Sequence, residues 1–254
     1  MELARMTWEE VACLPADGVA LLPVGAVEQH GPVLPLGTDA AIASHLARAA
    51  ATRGNRVLLP TLAVGVSHEH RQFPGTLSVT PDQLRDLTIS LGRSLAAHGV
   101  RRLVFVNGHG SNAAPLAEAA LWLREESAYA FVFNWWQSIS ETIAALFPRG
   151  DAHGGAVEAS AMLVIDPESV RTGRMAHAST DRGARVPWGE SVEGVQVAFD
   201  AAEFSDLGNV GDPSLADAEK GKTILREAAE CLDRFCSWLA AQRDDVLRPP
   251  SSRR

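Results

Sequence analysis

The stretch Pro23-Val-Gly-Ala-Val-Glu-Gln-His-Gly-Pro-Val-Leu-Pro-Leu-Gly-Thr-Asp39 constrains this chain most. Pro23, Pro32 and Pro35, interleaved with Gly25, Gly31 and Gly37, exclude regular structure, so the stretch must be a long loop. The apolar run Val19–Leu22 before it reads as a short buried strand, and Ala40–Ala51 after it as a helix. Long ordered loops between such elements often carry function. This one holds Glu28, His30 and Asp39, residue types that bind zinc, manganese or iron. In an extended backbone the Glu28 and His30 side chains leave the same face. The plainer alternative is a helix-capping aspartate beside two solvated polar groups, and the loop alone does not decide between them.

At 254 residues the chain is long enough for a large core. A formal net charge of −8 argues against nucleic acid or an anionic membrane as partner. No apolar run reaches the length of a membrane span. The opening Met1–Trp8 lacks the basic-then-apolar pattern of an export signal. Cys13, Cys231 and Cys236 have no metal-ligand spacing and read as reduced, mostly buried thiols of a cytoplasmic protein.

Along the chain, Ile42, Leu46 and Ala49 mark one helix face and Arg56–Ala63 a second strand, with His45 structural or exposed. A second unusual loop, Gly65–Thr76, contains His68, Glu69 and His70, more readily substrate-facing or structural than ligands. Thr80-Pro-Asp starts a helix whose face is Leu84, Leu87, Leu91 and Leu95. Leu103–Val106 reads as a central parallel strand, followed by His109 between two glycines and a helix over Ala113–Arg124. Ala130–Phe133 is a fourth strand, with Trp135 and Trp136 at its end. The turn Asp151–Gly155 carries His153 and leads into a helix with Glu158 near its start, where capping and dipole effects offer structural explanations for both. Residues 171–213 read as loops with a short extended piece. Gly211-Asp-Pro-Ser214 starts a last helix with the stripe Leu225, Ala228, Leu232, Phe235 and Leu239. Residues 1–246 are expected to form one domain and 247–254 a disordered tail.

Strands alternating with helices predict a three-layer α/β sandwich around a mostly parallel sheet. The candidate ligands Glu28, His30, Asp39, His109 and Glu158, with His153, all fall in segments expected to follow a strand. Such a convergence favours a metal centre over coincidence.

The opening loop resembles the signature of the creatininase (creatinine amidohydrolase) family. Phe-Pro-Gly-Thr76, Val-Asn-Gly-His-Gly-Ser-Asn112 and His-Gly-Gly-Ala-Val-Glu-Ala-Ser160 resemble further family blocks in the same order, with an echo at Gly211-Asp-Pro213. The resemblance implies a two-metal amidohydrolase acting on a small, often cyclic, amide or a short peptide, and a homo-oligomer, commonly a hexamer. It implies that Asp39 bridges two divalent ions, zinc before manganese or iron, with Glu28 and His109 on one ion and His30 on the other. A glutamate stands in creatininase proper where this chain has Ser111, and Glu158 is the natural substitute. His153 matches the residue that handles protons. Trp136 matches one substrate-covering tryptophan and Arg149 replaces the other, and His70 and Ser111 are further substrate-side candidates. The Ser111 and Arg149 departures weigh against creatinine itself. The mycofactocin-maturation peptidases, which remove a C-terminal dipeptide, and the formamidopyrimidine-type deformylases are similar branches. A metal-binding scaffold without activity is the non-enzymatic alternative, against which His153 argues, since a scaffold needs no proton-transfer residue. The chemistry implied is a bridging water acidified toward hydroxide between two cations, with the amide carbonyl polarised by the same ions.

Overall fold

The computed structural model describes residues 1–126, 128–148, 152–179, 191–192, 195–196 and 200–248. Arg149, Asp151 and residues 249–254 of the expected tail lie outside them. The strands of the main sheet are β1 (Val19–Val24), β2 (Arg56–Leu58), β3 (Arg102–Asn107) and β4 (Tyr129–Asn134). They run parallel in the order β2-β1-β3-β4. A small antiparallel pair, β5 (Ser191–Val192) and β6 (Val195–Gln196), stands apart. The helices in chain order are α1 (Trp8–Ala12), α2 (Thr38–Ala51), α3 (Pro81–Ala97), α4 (Ala113–Glu125), α5 (Trp135–Ser138), α6 (Ser140–Leu146), α7 (Ala156–Ile165), α8 (Met175–Ala178), α9 (Ala201–Phe204), α10 (Ala218–Ala241) and α11 (Asp244–Leu247).

Side chains leave a strand on alternate faces, so the continuous apolar runs of β1 and β3 feed two cores. Val19, Leu21, Val104 and Val106 meet Ile42 and Leu46 of α2, Met162 of α7 and Leu225, Leu232 and Leu239 of α10. Ala20, Leu22, Leu103 and Phe105 meet Leu84 and Ile89 of α3 and Leu116 and Leu123 of α4. The result is the expected three-layer α/β sandwich. Among the described residues no helix is long and apolar enough to cross a membrane.

Several local expectations shift. The second strand closes at Leu58 because Pro60 has no N–H for the ladder, although Leu59 and Leu62 still donate to Leu21 and Pro23 of β1. In α3, Leu87 turns outward, 46 % exposed, and Thr88 and Gly92 join Leu84 and Ile89 on the buried face. Gly211-Asp-Pro forms only a 3₁₀ turn over Pro213–Leu215, and α10 starts at Ala218, where the Asp217 side chain caps the Lys220 N–H. Leu247 is buried in α11 and its carbonyl accepts from Arg124 at 3.0 Å. Of the three thiols, Cys236 is buried, Cys231 half-buried and Cys13 exposed.

Candidate metal centre

Parallel strands place their following loops at one end of the sheet, and the polar cluster sits there. Glu28 and His30 lie in the loop after β1, His70 and Glu69 in the loop after β2, and His109 directly after β3. His153 and Glu158 arrive differently from the expectation. They follow helices α5 and α6 rather than a strand, and reach the same end because the N-terminus of α7 points at it. Asp39 and Glu158 both lie in the first turns of their helices, α2 and α7, where the helix dipole favours a negative charge. The N-cap of α2 is Gly37 and Asp39 makes no cap bond, so the capping alternative for Asp39 falls away.

Glu28, His30 and Asp39 are at most 1 % exposed, and His70 and His109 are 7 % exposed. Two groups of three share Asp39. In the first, His109 Nδ1 lies 3.0 Å from Glu28 Oε1 and 3.5 Å from Asp39 Oδ2. In the second, His30 Nε2 lies 3.2 Å from Asp39 Oδ1 and 3.7 Å from Glu158 Oε2. The carboxylates stand close together, and the histidines between them respond to that negative charge. Burial pulls His30 down, but Asp39 and Glu158 overrule it and raise its pKa to about 10. His109 is likewise raised, against burial, by Glu28. Glu28 is held below the usual carboxylate range, again against burial, chiefly by His109.

Three observations show that this site fits divalent cations. Both Glu28 oxygens and Asp39 Oδ2 are buried with no hydrogen-bond partner among the described residues, a costly arrangement that a cation resolves. Each histidine also anchors its outer nitrogen on a backbone carbonyl: His109 Nε2 on Val66 at 2.8 Å, His30 Nδ1 on Glu28 at 3.1 Å. That bond puts the proton on the outer nitrogen of the neutral ring and aims the inner lone pair at the carboxylates, as metal-binding histidines require. The donor set itself, imidazole with carboxylate, suits zinc, manganese and iron.

His153 adds a third group with Glu28 and His30. Its Nε2 lies 2.5 Å from the Gln29 carbonyl and its Nδ1 3.5 Å from Glu28 Oε1. Its ring stacks between His30 and His70, with centroids 4.3 Å from each. Burial and the neighbouring His30 hold His153 neutral, well below the ordinary histidine value. Of the substrate-side candidates, His70 faces the centre, its Nε2 3.6 Å from Glu28 Oε1. The Ser111 hydroxyl donates to Glu69, whose Oε1 is 3.6 Å from His109 Nε2. Trp136 packs on the core edge-on to Trp135, 6.4 Å away, and is not joined by a ring contact to the histidines among the described residues. His68 is exposed.

Sequence reasoning assigned no role to Gln29, Asn107 or Asn112. Asn107 Oδ1 accepts from the His109 N–H at 3.1 Å. Asn112 ties the first two loops together, accepting from Val66 N at 2.9 Å and donating to Gly25 O at 3.0 Å. Only their place inside the loop motifs hinted at this.

A family model described as creatinine amidohydrolase matches residues 4–236. The chain belongs to the creatininase family. Members of this family are hydrolases acting on C–N bonds, and the chain is a creatininase-family amidohydrolase. It is 39 % identical over 228 residues to the mycofactocin precursor peptide peptidase of Mycobacterium ulcerans, covering 86 % of this chain and 84 % of that one. It is 31 % identical over 244 residues to the creatinine amidohydrolase of Pseudomonas putida, covering 88 % and 91 %. A crystal structure of creatinine amidohydrolase (creatininase) superposes with a TM-score of 0.83 at 27 % identity, covering 95 % of this chain and 98 % of the other.

Proposed function

We propose that this amidohydrolase is a two-metal peptidase that cuts a C–N bond in a short peptide of the mycofactocin precursor kind. The observation that carries the reading is the pair of ligand groups sharing Asp39, with buried carboxylate oxygens that have no hydrogen-bond partner among the described residues. The choice of a peptide over creatinine rests on the greater likeness to the Mycobacterium peptidase and on Ser111 and Arg149. Glu28, Asp39 and His109 would hold one ion, and His30, Asp39 and Glu158 the other. Zinc is the expected metal, with manganese and iron compatible with the same donors. Bound divalent ions supply Lewis-acid polarisation of the amide carbonyl and make water nucleophilic at neutral pH.

The chain's own residues do the rest. The Nε2–H of His153 is engaged by the Gln29 carbonyl, so its Nδ1 offers a lone pair toward the centre. That nitrogen accepts a proton from the attacking water and returns it to the departing nitrogen, which is too basic to leave without one. Glu28, buried and shared among three histidines, keeps those rings in register. Trp136 is assigned to the wall of the substrate site. Residues 1–246 act as one domain, in a cytoplasmic homo-oligomer, with a hexamer in line with the family resemblance.

The reading is tested by loading the protein with zinc, manganese or iron and assaying the precursor peptide, creatinine and an N-formyl aminopyrimidine side by side. Cleavage of the peptide with little action on the other two is the expected result. Opening of creatinine with an intact peptide would return the chain to the creatininase activity.

A further inference from the structure

Gln29 sits between two proposed ligands in the sequence and is 5 % exposed, and its side-chain amide contacts His70, His153, Gly208 and Gly31. Its orientation is set at both ends of the amide. Oε1 accepts the Gly31 N–H at 2.9 Å, and Nε2 donates to the Gly208 carbonyl at 2.9 Å. With the amide so turned, Nε2 also faces His70 Nδ1 at 2.8 Å. Nε2 lies 2.9 Å from His153 Nε2 as well, but that nitrogen carries its own proton to the Gln29 carbonyl, so the two amide hydrogens serve Gly208 and His70, whose Nδ1 accepts and whose ring proton therefore sits on Nε2. That N–H is the atom 3.6 Å from Glu28 Oε1. The same residue's backbone carbonyl takes the Nε2–H of His153, the ring stacked on His70. One residue therefore governs two adjacent rings that present opposite functions to Glu28: a lone pair from His153 and an N–H from His70.

Gly208 supports this assignment independently. Its φ is +92°, and a Cβ there would lie 1.9 Å from Gln29 Oε1. The backbone can approach the Gln29 amide only because that position has no side chain.

We propose that Gln29 is a positioning residue that sets the tautomer of His70, so that the paired His70 and His153 rings offer a proton donor and a proton acceptor side by side above the metal site. The use of that pair in turnover rests on the peptidase reading above, whereas the tautomers do not. The donor would face the oxygen that gains charge as the amide is attacked, and the acceptor would face the water.

The test is ¹⁵N NMR of histidine-labelled, zinc-loaded protein, with zinc content and precursor-peptide turnover measured on the same samples. In the wild type, His70 and His153 should both show a protonated Nε2 and a bare Nδ1. Gln29→Glu replaces the donor with an acceptor of the same shape and should move a proton onto His70 Nδ1, with His153 unchanged. Gln29→Leu and Gly208→Ala should leave His70 without a fixed tautomer while both zinc ions stay bound, and should lower kcat about tenfold to a hundredfold with little change in KM. A zinc-bound Nε2 on His70, a protonated Nδ1 in the wild type, or an unaltered His70 in folded Gln29→Glu would overturn the assignment. Wild-type protein inactive on the peptide but with the expected tautomers would refute the peptidase reading and leave the role of Gln29 standing.

Discussion

Asp39 is the residue through which both candidate ion sites pass, and its Oδ2 has no hydrogen-bond partner among the described residues. Asp39→Asn keeps its shape and removes its charge. That variant should lose tight binding of both ions and the activity, with far-ultraviolet circular dichroism unchanged. Full metal occupancy would remove Asp39 from the bridging position. His153 is a different case, because its Nδ1 can serve as a base or as a ligand. As the base, His153→Gln should hold both ions and lose about a hundredfold to ten-thousandfold in turnover, less for a substrate with a good leaving group. If the ions leave with the imidazole, His153 is a ligand. Metal content and rate taken on the same preparation separate the two.

At the scale of elements, the site depends on how closely β3 approaches the start of α2. A Cβ on Gly108 would lie 2.3 Å from the Asp39 carbonyl oxygen, so no side chain fits between strand end and helix start. Gly108→Ala should push α2 outward and weaken metal affinity, although residue 108 offers no ligand; isothermal titration with zinc measures this. The opposite end of the sheet is held by charge. Arg56 of β2, 5 % exposed, donates to the Asp233 carboxylate at 2.5 Å, to the Asp233 carbonyl at 3.0 Å and to Ser237 at 2.9 Å, tying the strand to α10. Removing the carboxylate leaves the guanidinium without its counter-ion, so Asp233→Asn should cost about 1.5–3 kcal/mol in urea unfolding, the range for a hydrogen bond to a charged group. Arg56 and Arg53 outweigh burial and hold the Asp233 pKa below its ordinary value. The stabilisation is therefore complete above the usual carboxylate range and is lost as pH falls through the folded-state value. The difference between wild type and variant should be flat near neutrality and shrink in acid.

For the molecule as a whole, an ion that binds the folded chain far more tightly than the unfolded one raises its stability by mass action. Chelation should lower the melting temperature, zinc should restore it, and Asp39→Asn should show neither shift. Much of the architecture was legible beforehand because it is local. Uninterrupted apolar runs at Val19–Leu22 and Leu103–Val106 identify strands covered on both faces, and a loop crowded with proline and glycine locates the polar end of the sheet. The residue types Glu28, His30, Asp39, His109, His153 and Glu158 could likewise be picked out, since metal chemistry accepts few side chains and these fall in the loops and first helical turns. What the linear order could not reveal depends on contacts between distant segments. Gln29 meets His70, His153 and Gly208; Ser111 meets Glu69; and Arg56 meets Asp233 across the sheet. No periodicity encodes such pairs, because each depends on the relative placement of elements that only the packed core determines. The direction of each imidazole belongs to the same class: a histidine's lone pair is aimed by the carbonyl that its other nitrogen finds, and that carbonyl comes from wherever the fold brings the backbone alongside.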